Sequence, residues 1–363
     1  MGLTTSNTGW LLFRAWLAGT AIAFGPLLVL EETDYLVRDF LPFSLKFWPD
    51  WAAIPISMAF GAVAAGWVAR RRGWEAAPRL EIAAQRITGH LLFFILSVYA
   101  LSKVLRTQFR VPYVVLDTPL GDVSGYMLAW RFLGFSHFHE MFVAVGEFLG
   151  PVLLLFWRTL TLGALITAVV MTNVVLVNFT HQLPVRWFSS CLLALTIYLL
   201  LLDGRRLLGF FVLNQSVAPR PRPAPLIRSG VLRAAFKAGW VALALAYSFL
   251  YIGYGDSKPS PLAGAWRVEH SGQTASVPWH AVYFERGFYG SFPGSVRREA
   301  GAKPERFTYE FDAGTRHLKM KFPDSAGGGK VFDGSYELDG DRRLRLHGSF
   351  DEKAVDLELT RKH

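Results

Sequence analysis

Residues 136–157, SHFHEMFVAVGEFLGPVLLLFW, decide how the chain is read. Past its first residues the stretch is long and apolar enough for a helix crossing a hydrocarbon layer about 30 Å thick. Glu147 stands in its middle. An ionised carboxylate at that depth is costly unless it is protonated, paired or turned to a polar cavity, and such a residue is by default a functional hypothesis. A partner for Glu147 must come from elsewhere in the chain.

The composition supports a membrane reading. Of 363 residues, 52% are hydrophobic and 18% charged, and the mean hydropathy is +0.28. Seven stretches have about the length of a spanning helix: roughly 10 to 30, 51 to 69, 87 to 106, 138 to 157, 159 to 180, 184 to 202 and 231 to 253. The run YMLAWRFLGF at 126–135 reads as a short interfacial helix. Basic residues cluster in RRRGWEAAPR with Arg86, at Arg158, and in RRLLGFFVLNQSVAPRPRPAPLIR with Arg233 and Lys237. Those on the other side, Arg38, Lys46, Arg106, Arg110, Arg131 and Arg186, are spread among acids. The positive-inside rule then puts the N-terminus in the cytoplasm and, after seven crossings, the C-terminal part outside, which in a bacterium means an inner-membrane protein with a periplasmic domain. Because much of the +10 net charge lies in short loops that set topology, nucleic acid is excluded as a partner. Cys191 is the only cysteine and lies in an apolar segment, so redox chemistry would need a bound cofactor.

After the turn-forming linker GYGDSKPSP at 253–261, the pattern changes to eight short alternating runs, from AWRVEH to AVDLELTR, separated by DAG, SAGGG and LDGD. Eight antiparallel strands in about a hundred residues fit a small barrel or coiled sheet. Gly264 and Trp266 in GAW on the first strand, with Arg361 near the last, resemble the lipocalin pattern in which an arginine covers the tryptophan at the closed end. The plainer reading of Trp266 is a core residue.

Glu147 lies ten residues beyond His137, about 15 Å down a helix. Asn173, on the next apolar stretch, falls at about 12 Å depth, and the short FWRT connection makes the two stretches neighbours, so an amide-to-carboxyl bond between Glu147 and Asn173 is expected. His137, Glu140 and Glu147 share a face, Asn178 and His181 another, and Lys103, Gln108, Arg131 and Arg186 gather at the outer mouth. Histidine and carboxylate together suit zinc, iron or copper, which makes His137, His139, Glu140 and His181 candidate ligands. Histidines facing headgroups are the commoner alternative. Arg14 and His90, near the inner ends of their helices, pair or snorkel. For Glu147 itself two readings stay open: a protonated structural carboxyl between helices, or a proton-handling or headgroup-binding group.

The run from AAQRITGHLLFFILSVYALSKVLRTQF to LLLLDGRRLLGFFV resembles the DoxX-like family of bacterial membrane proteins over about residues 80 to 215. The resemblance is carried by Arg86 opening the first helix, Lys103 near its outer end, E-x-L-G at Glu147 with the apolar run to Arg158, and TLGAL leading to Asn173 and Asn178. Relatives more often carry glycines where this chain has FLGP, so a kink at Pro151 is expected in place of packing through a glycine pair. The resemblance implies a four-helix core and a link to thiol or sulfur oxidation through the quinone pool. On it, Glu147, Glu140 and Lys103 are the catalytic candidates of a subunit of a membrane oxidoreductase. Glu147, Asn173, Asn178, His181 and Arg131 are the candidate contacts of a quinone, and His137, His139 and His181 the metal candidates.

The expected architecture is thus an α-helical transmembrane bundle of about seven helices with a C-terminal antiparallel β barrel. Its divisions are a helical hairpin at 1–80, the four-helix unit at 81–215, a linker and seventh helix at 216–253, and the β domain at 254–363. Membrane lipid and a periplasmic protein are the expected partners. The alternative to redox chemistry is a scaffold or envelope-stress factor that presents the β domain, since no catalytic spacing is visible there. Transport has least support, because no helix is broken by paired Gly or Pro and no repeat is visible.

Overall fold

The computed structural model describes residues 5–38, 53–70, 76–219, 228–255, 260–271, 277–287, 292–323 and 329–362. Parts of the loops used to orient the chain, with Lys46 among them, and residues 256–259 of the 253–261 linker lie outside these residues. The helices are α1 (Thr5–Arg38), α2 (Ala53–Arg70), α3 (Ala76–Val104), α4 (Tyr113–Leu116), α5 (Gly125–Leu133), α6 (His137–Leu154), α7 (Leu160–Thr180), α8 (Arg186–Leu202), α9 (Gly204–Leu207) and α10 (Gly230–Gly255). Each of the seven expected apolar stretches falls on one of them, but among the described residues those on α2 and α6 do not reach the length and hydropathy of a spanning helix, so seven spans are too many. By length and hydropathy, four helices among the described residues are able to cross a membrane, within α1, α3, α7 and α10. A fifth is formed if α8 and the 204–212 segment, bent by 71° at Asp203, are one span.

The chain divides into two compact units. The first holds residues 1–108 and 135–251. Its core joins Ala18 and Ala21 of α1, Leu92 to Leu96 of α3, Leu154 of α6, Ala164 and Met171 of α7, and Leu192, Leu195 and Leu199 of α8. α3 is the enclosed element, with 72% of its span buried against 28% in α7 and 6% in α10. Its end is set by local chemistry: Thr107 N–H bonds the Ser102 carbonyl at 2.8 Å and Arg106 N–H the Lys103 carbonyl at 3.0 Å. That is the two-bond closure that ends a helix through a left-handed residue, here Arg106 with φ 55°. α6 begins after Ser136, whose hydroxyl accepts from His139 N–H at 3.4 Å.

α6 and α7 meet through glycines. A Cβ on Gly163 would stand 2.8 Å from the Gly150 carbonyl oxygen and 2.8 Å from the Leu154 nitrogen. Pro151 does sit inside α6, but the glycine contact that FLGP was expected to replace is what brings the two helices together, because Gly150 precedes the proline and faces α7.

The second unit contains 252–363 and also 109–134, the excursion between α3 and α6. Residues 109–134, expected inside the four-helix unit, therefore belong with the β domain. Its strands are β1 (Gly264–Ser271), β2 (Ala281–Phe284), β3 (Pro293–Arg297), β4 (Glu305–Asp312), β5 (His317–Lys321), β6 (Val331–Asp339), β7 (Arg343–Phe350) and β8 (Lys353–Arg361). They form a closed barrel in sequence order, every neighbour antiparallel, with β1 closing on β8. Inward side chains fill it: Leu318, Met320, Phe332, Leu344, Leu346 and Leu357 have no accessible surface, which a cavity of water size beside them would supply. Trp266 pairs in register with Arg361. The guanidinium lies 5.2 Å from the indole centre, and a Cβ at Gly264, φ 154°, would meet Arg361 Nε at 2.9 Å. The arginine cover over the tryptophan is formed as the GAW motif led one to expect.

The outer face shows why 109–134 is part of this unit. On β4 to β8 it is exposed and carries ion pairs such as Arg345–Glu358 at 2.9 Å and His347–Asp356 at 2.9 Å. On β1 to β3 it is buried, where Ala265, Ala281 and Tyr283 pack against Tyr113 and Val114. Glu285 accepts from the backbone N–H groups of Tyr113 at 2.7 Å and Val114 at 3.0 Å. Buried Arg297 donates to the Asp117 carbonyl at 3.0 Å and the Thr118 hydroxyl at 2.6 Å. The Asp117 carboxylate accepts from Tyr283 Oη at 3.0 Å and Lys362 Nζ at 2.6 Å. Residues 113–118 clamp this excursion on the barrel wall as a strap.

Candidate functional site

The site is built where α3 ends and α6 begins. Positions 140, 144, 147, 150, 151 and 154 of α6 are buried, a single stripe at helical spacing. Glu140 and Glu147 therefore face inward at 3% and 5% exposure. The opposite stripe, Phe138, Phe142, Val145 and Leu149, is exposed, Phe138 at 83% and Phe142 at 72%. The helix hides its carboxylates and shows its apolar side chains.

Glu147 Oε2 is 2.5 Å from Lys103 Nζ. Lys103, in the last turn of α3, is only 4% exposed, and its ammonium also reaches the Tyr99 carbonyl at 3.4 Å and lies 6.0 Å from the Tyr99 ring centre. A cation at that position also meets the negative end of the helix dipole. About two turns earlier on α6, Glu140 Oε2 receives Arg106 Nε at 3.5 Å and His137 Nδ1 at 3.4 Å. Two bases at the end of one helix thus meet two acids on the facing stripe of another. Chemically, the inner pair is a buried acid and base able to hold a proton or a polar headgroup, and the outer pair, with Arg106 at 58% and His137 at 50% exposure, lies nearer solvent.

The expected Glu147–Asn173 bond is not formed. Asn173 is exposed on α7; the carboxylate turns instead to α3, which lies close to α6 although 109–134 separates them in sequence. Asn178 is buried, and its Nδ2 donates to Ser189 Oγ at 2.9 Å, joining α7 to α8. His181 Nδ1 lies 3.2 Å from the Val177 carbonyl of its own helix. Arg131 is exposed on α5 and belongs to the other unit. Among the described residues no three His, Cys, Asp or Glu side chains are grouped to hold a metal, so His137, His139 and His181 do not form the site proposed for them. Arg14 pairs with Glu81. The partner that the sequence offered and reading by adjacency passed over is Lys103, with Arg106 for Glu140. Bases three residues apart facing acids seven apart is the available signal, and it becomes readable only once α3 and α6 are known to pack.

Compared with known proteins, no protein-family profile matches the chain, and no solved structure matches it. The chain is similar to a Bacillus subtilis (strain 168) protein described as "Uncharacterized protein YwoB": 38% identity over 120 residues, which make up 33% of this chain and 77% of the other.

Proposed function

We propose, from the premise that the chain belongs to the family of the uncharacterized Bacillus subtilis protein YwoB, that it is a membrane protein whose helical unit holds a quinone or similar isoprenoid headgroup at the Lys103–Glu147 pair. Its barrel stands on the outer side. The carrying observation is the stripe arrangement of α6, carboxylates inward and phenylalanines outward. In water that arrangement costs burial of charge while leaving apolar surface wet; in a bilayer both faces meet the surroundings they suit. The resemblance to the DoxX-like family supplies the quinone.

In this reading the Lys103 ammonium donates to a ring carbonyl, and Glu147 fixes the ammonium and relays its proton. Reduction of the quinone takes two electrons and two protons, which a pair of external thiols supplies while closing to a disulfide. Cys191 is the only cysteine of the chain, so both thiols belong to a partner or small molecule. Quinone recovered by solvent extraction from detergent-purified protein, and lost from Glu147→Gln and Lys103→Met, is the expected result. Folded wild-type protein that carries no quinone ends the redox reading.

A second reading is favoured by the barrel: a filled interior and a strap that fixes its wall suit a rigid outer module presented to a partner, without chemistry of its own. It expects envelope phenotypes that survive Glu147→Gln but not removal of 264–361.

A further inference from the structure

In the first half of α3, with Arg86 about 25 Å from Lys103 by helical rise, Arg86 and His90 meet Lys237 of α10. The Arg86 guanidinium lies 5.1 Å from the centre of the Trp157 ring and Lys237 Nζ 4.6 Å from that of Phe156. His90 is nine-tenths buried, its ring 5.7 Å from Phe236 and 6.0 Å from Trp240. Trp240 Nε1 donates to the His90 carbonyl at 3.0 Å, which ties α10 to α3 at this level. His90 Nδ1 is 2.7 Å from the Arg86 carbonyl. In the neutral ring that nitrogen is the donor, which leaves Nε2 an acceptor; buried, it meets no partner among the described residues. Among the described residues, the charges acting on His90 are Arg86 and Lys237, and those acting on Lys237 are Arg86 and Arg233, all cationic.

Half-buried like charges and an orphaned buried nitrogen are both unfavourable, and one bound anion with a hydroxyl relieves both. We propose that Arg86, His90 and Lys237 bind the headgroup of an anionic phospholipid that carries a free hydroxyl. Its phosphate lies between Arg86 and Lys237, the hydroxyl donates to His90 Nε2, and Phe156, Trp157 and Trp240 supply the interfacial aromatic frame. The proposal rests on the membrane reading above, with this end facing the cytoplasm, and it is independent of whether Lys103 and Glu147 hold a quinone.

The test is thermal unfolding of the full chain in neutral detergent, titrated separately with phosphatidylglycerol, phosphatidylmethanol, phosphatidylcholine and inorganic phosphate. Saturable stabilisation by phosphatidylglycerol is expected, weaker by phosphatidylmethanol, which has the same phosphate and no hydroxyl, and absent with phosphatidylcholine and free phosphate. Lys237→Gln and Arg86→Gln raise the half-saturating concentration at least tenfold, His90→Phe abolishes the preference for phosphatidylglycerol over phosphatidylmethanol, and Arg205→Gln, exposed on α9, changes neither. Should Arg86→Gln fail to fold, Lys237→Gln, on the less enclosed α10, carries the comparison. Equal protection by inorganic phosphate, or the same midpoint in wild type and Lys237→Gln, overturns the lipid site. Release of the chain from carbonate-washed membranes would instead overturn the membrane reading itself.

Discussion

Among single residues, Lys103 and Arg106 present the same kind of charge to the same helix with different energetic weight. Removing one partner of a buried ion pair leaves an uncompensated charge and costs about 3–5 kcal/mol, whereas replacing both by apolar groups is often neutral. Lys103→Met is therefore expected to lower stability by about that amount, and Lys103→Met with Glu147→Leu to recover most of it, as read by thermal unfolding in detergent. Arg106 occupies the left-handed closing position of α3, where a side chain costs about 1–2 kcal/mol relative to glycine, and its pair with Glu140, long at 3.5 Å, exposed on the arginine side and shared with His137, contributes up to about 1 kcal/mol. Arg106→Gly is thus expected to be near neutral in the same measurement. If the two single substitutions cost the same, the inner pair is not buried as described.

For the elements, the contacts that matter are backbone approaches and clamps. Gly163→Val places methyl groups where the α6 backbone runs and is expected to cost about 1–3 kcal/mol as overpacking, with Gly163→Ala between it and wild type. Detergent unfolding midpoints check this. The strap is the second case. Arg297→Gln removes donors to Asp117 and Thr118 inside a covered wall, and a fragment of 252–363 alone exposes Ala265, Ala281 and Tyr283. Joining 109–134 to 252–363 by a flexible linker is expected to give a sharper unfolding transition than 252–363 alone; identical transitions would show that the strap does not stabilise the barrel. That the barrel has eight strands was legible from the turn residues and alternation. The strap was not, yet a trace of it exists: AVYF in β2 is buried at every position, and its outward residues, Ala and Tyr, lack the charges that mark the outer faces of β4 to β8.

On the scale of the whole molecule, the clamp makes the β unit sensitive to alkali. Burial first, and then the adjacent Asp117 carboxylate, push the Tyr283 phenol up to about 12. A group whose folded value is raised adds stability below its ordinary value, near 10, and loses it as pH rises through the folded value. Hence the strap is held up to about pH 10 and weakens towards pH 12. Ultraviolet tyrosinate absorbance, recorded with protease cleavage within 109–134, is expected to show both changes in that window. Tyr283→Phe is expected to flatten that loss and to lower protection at neutral pH, because the bond to Asp117 goes with the hydroxyl.

By itself the sequence determined the local patterns: apolar stretches at helical length, period-two runs between turn formers, the GAW and Arg361 lock, and the anomaly of a carboxylate at position 147. Each depends on neighbours a few residues apart or on a motif of fixed geometry. Only the tertiary structure decided that α3 lies beside the carboxylate face of α6, so that Lys103 and not Asn173 answers Glu147, and that 109–134 leaves the helices for the barrel wall. These pairings join residues from 44 apart, for Lys103 and Glu147, to 245 apart, for Asp117 and Lys362. Periodicity states which face an element buries but not which element covers it, and that choice is made by the packing of the whole chain.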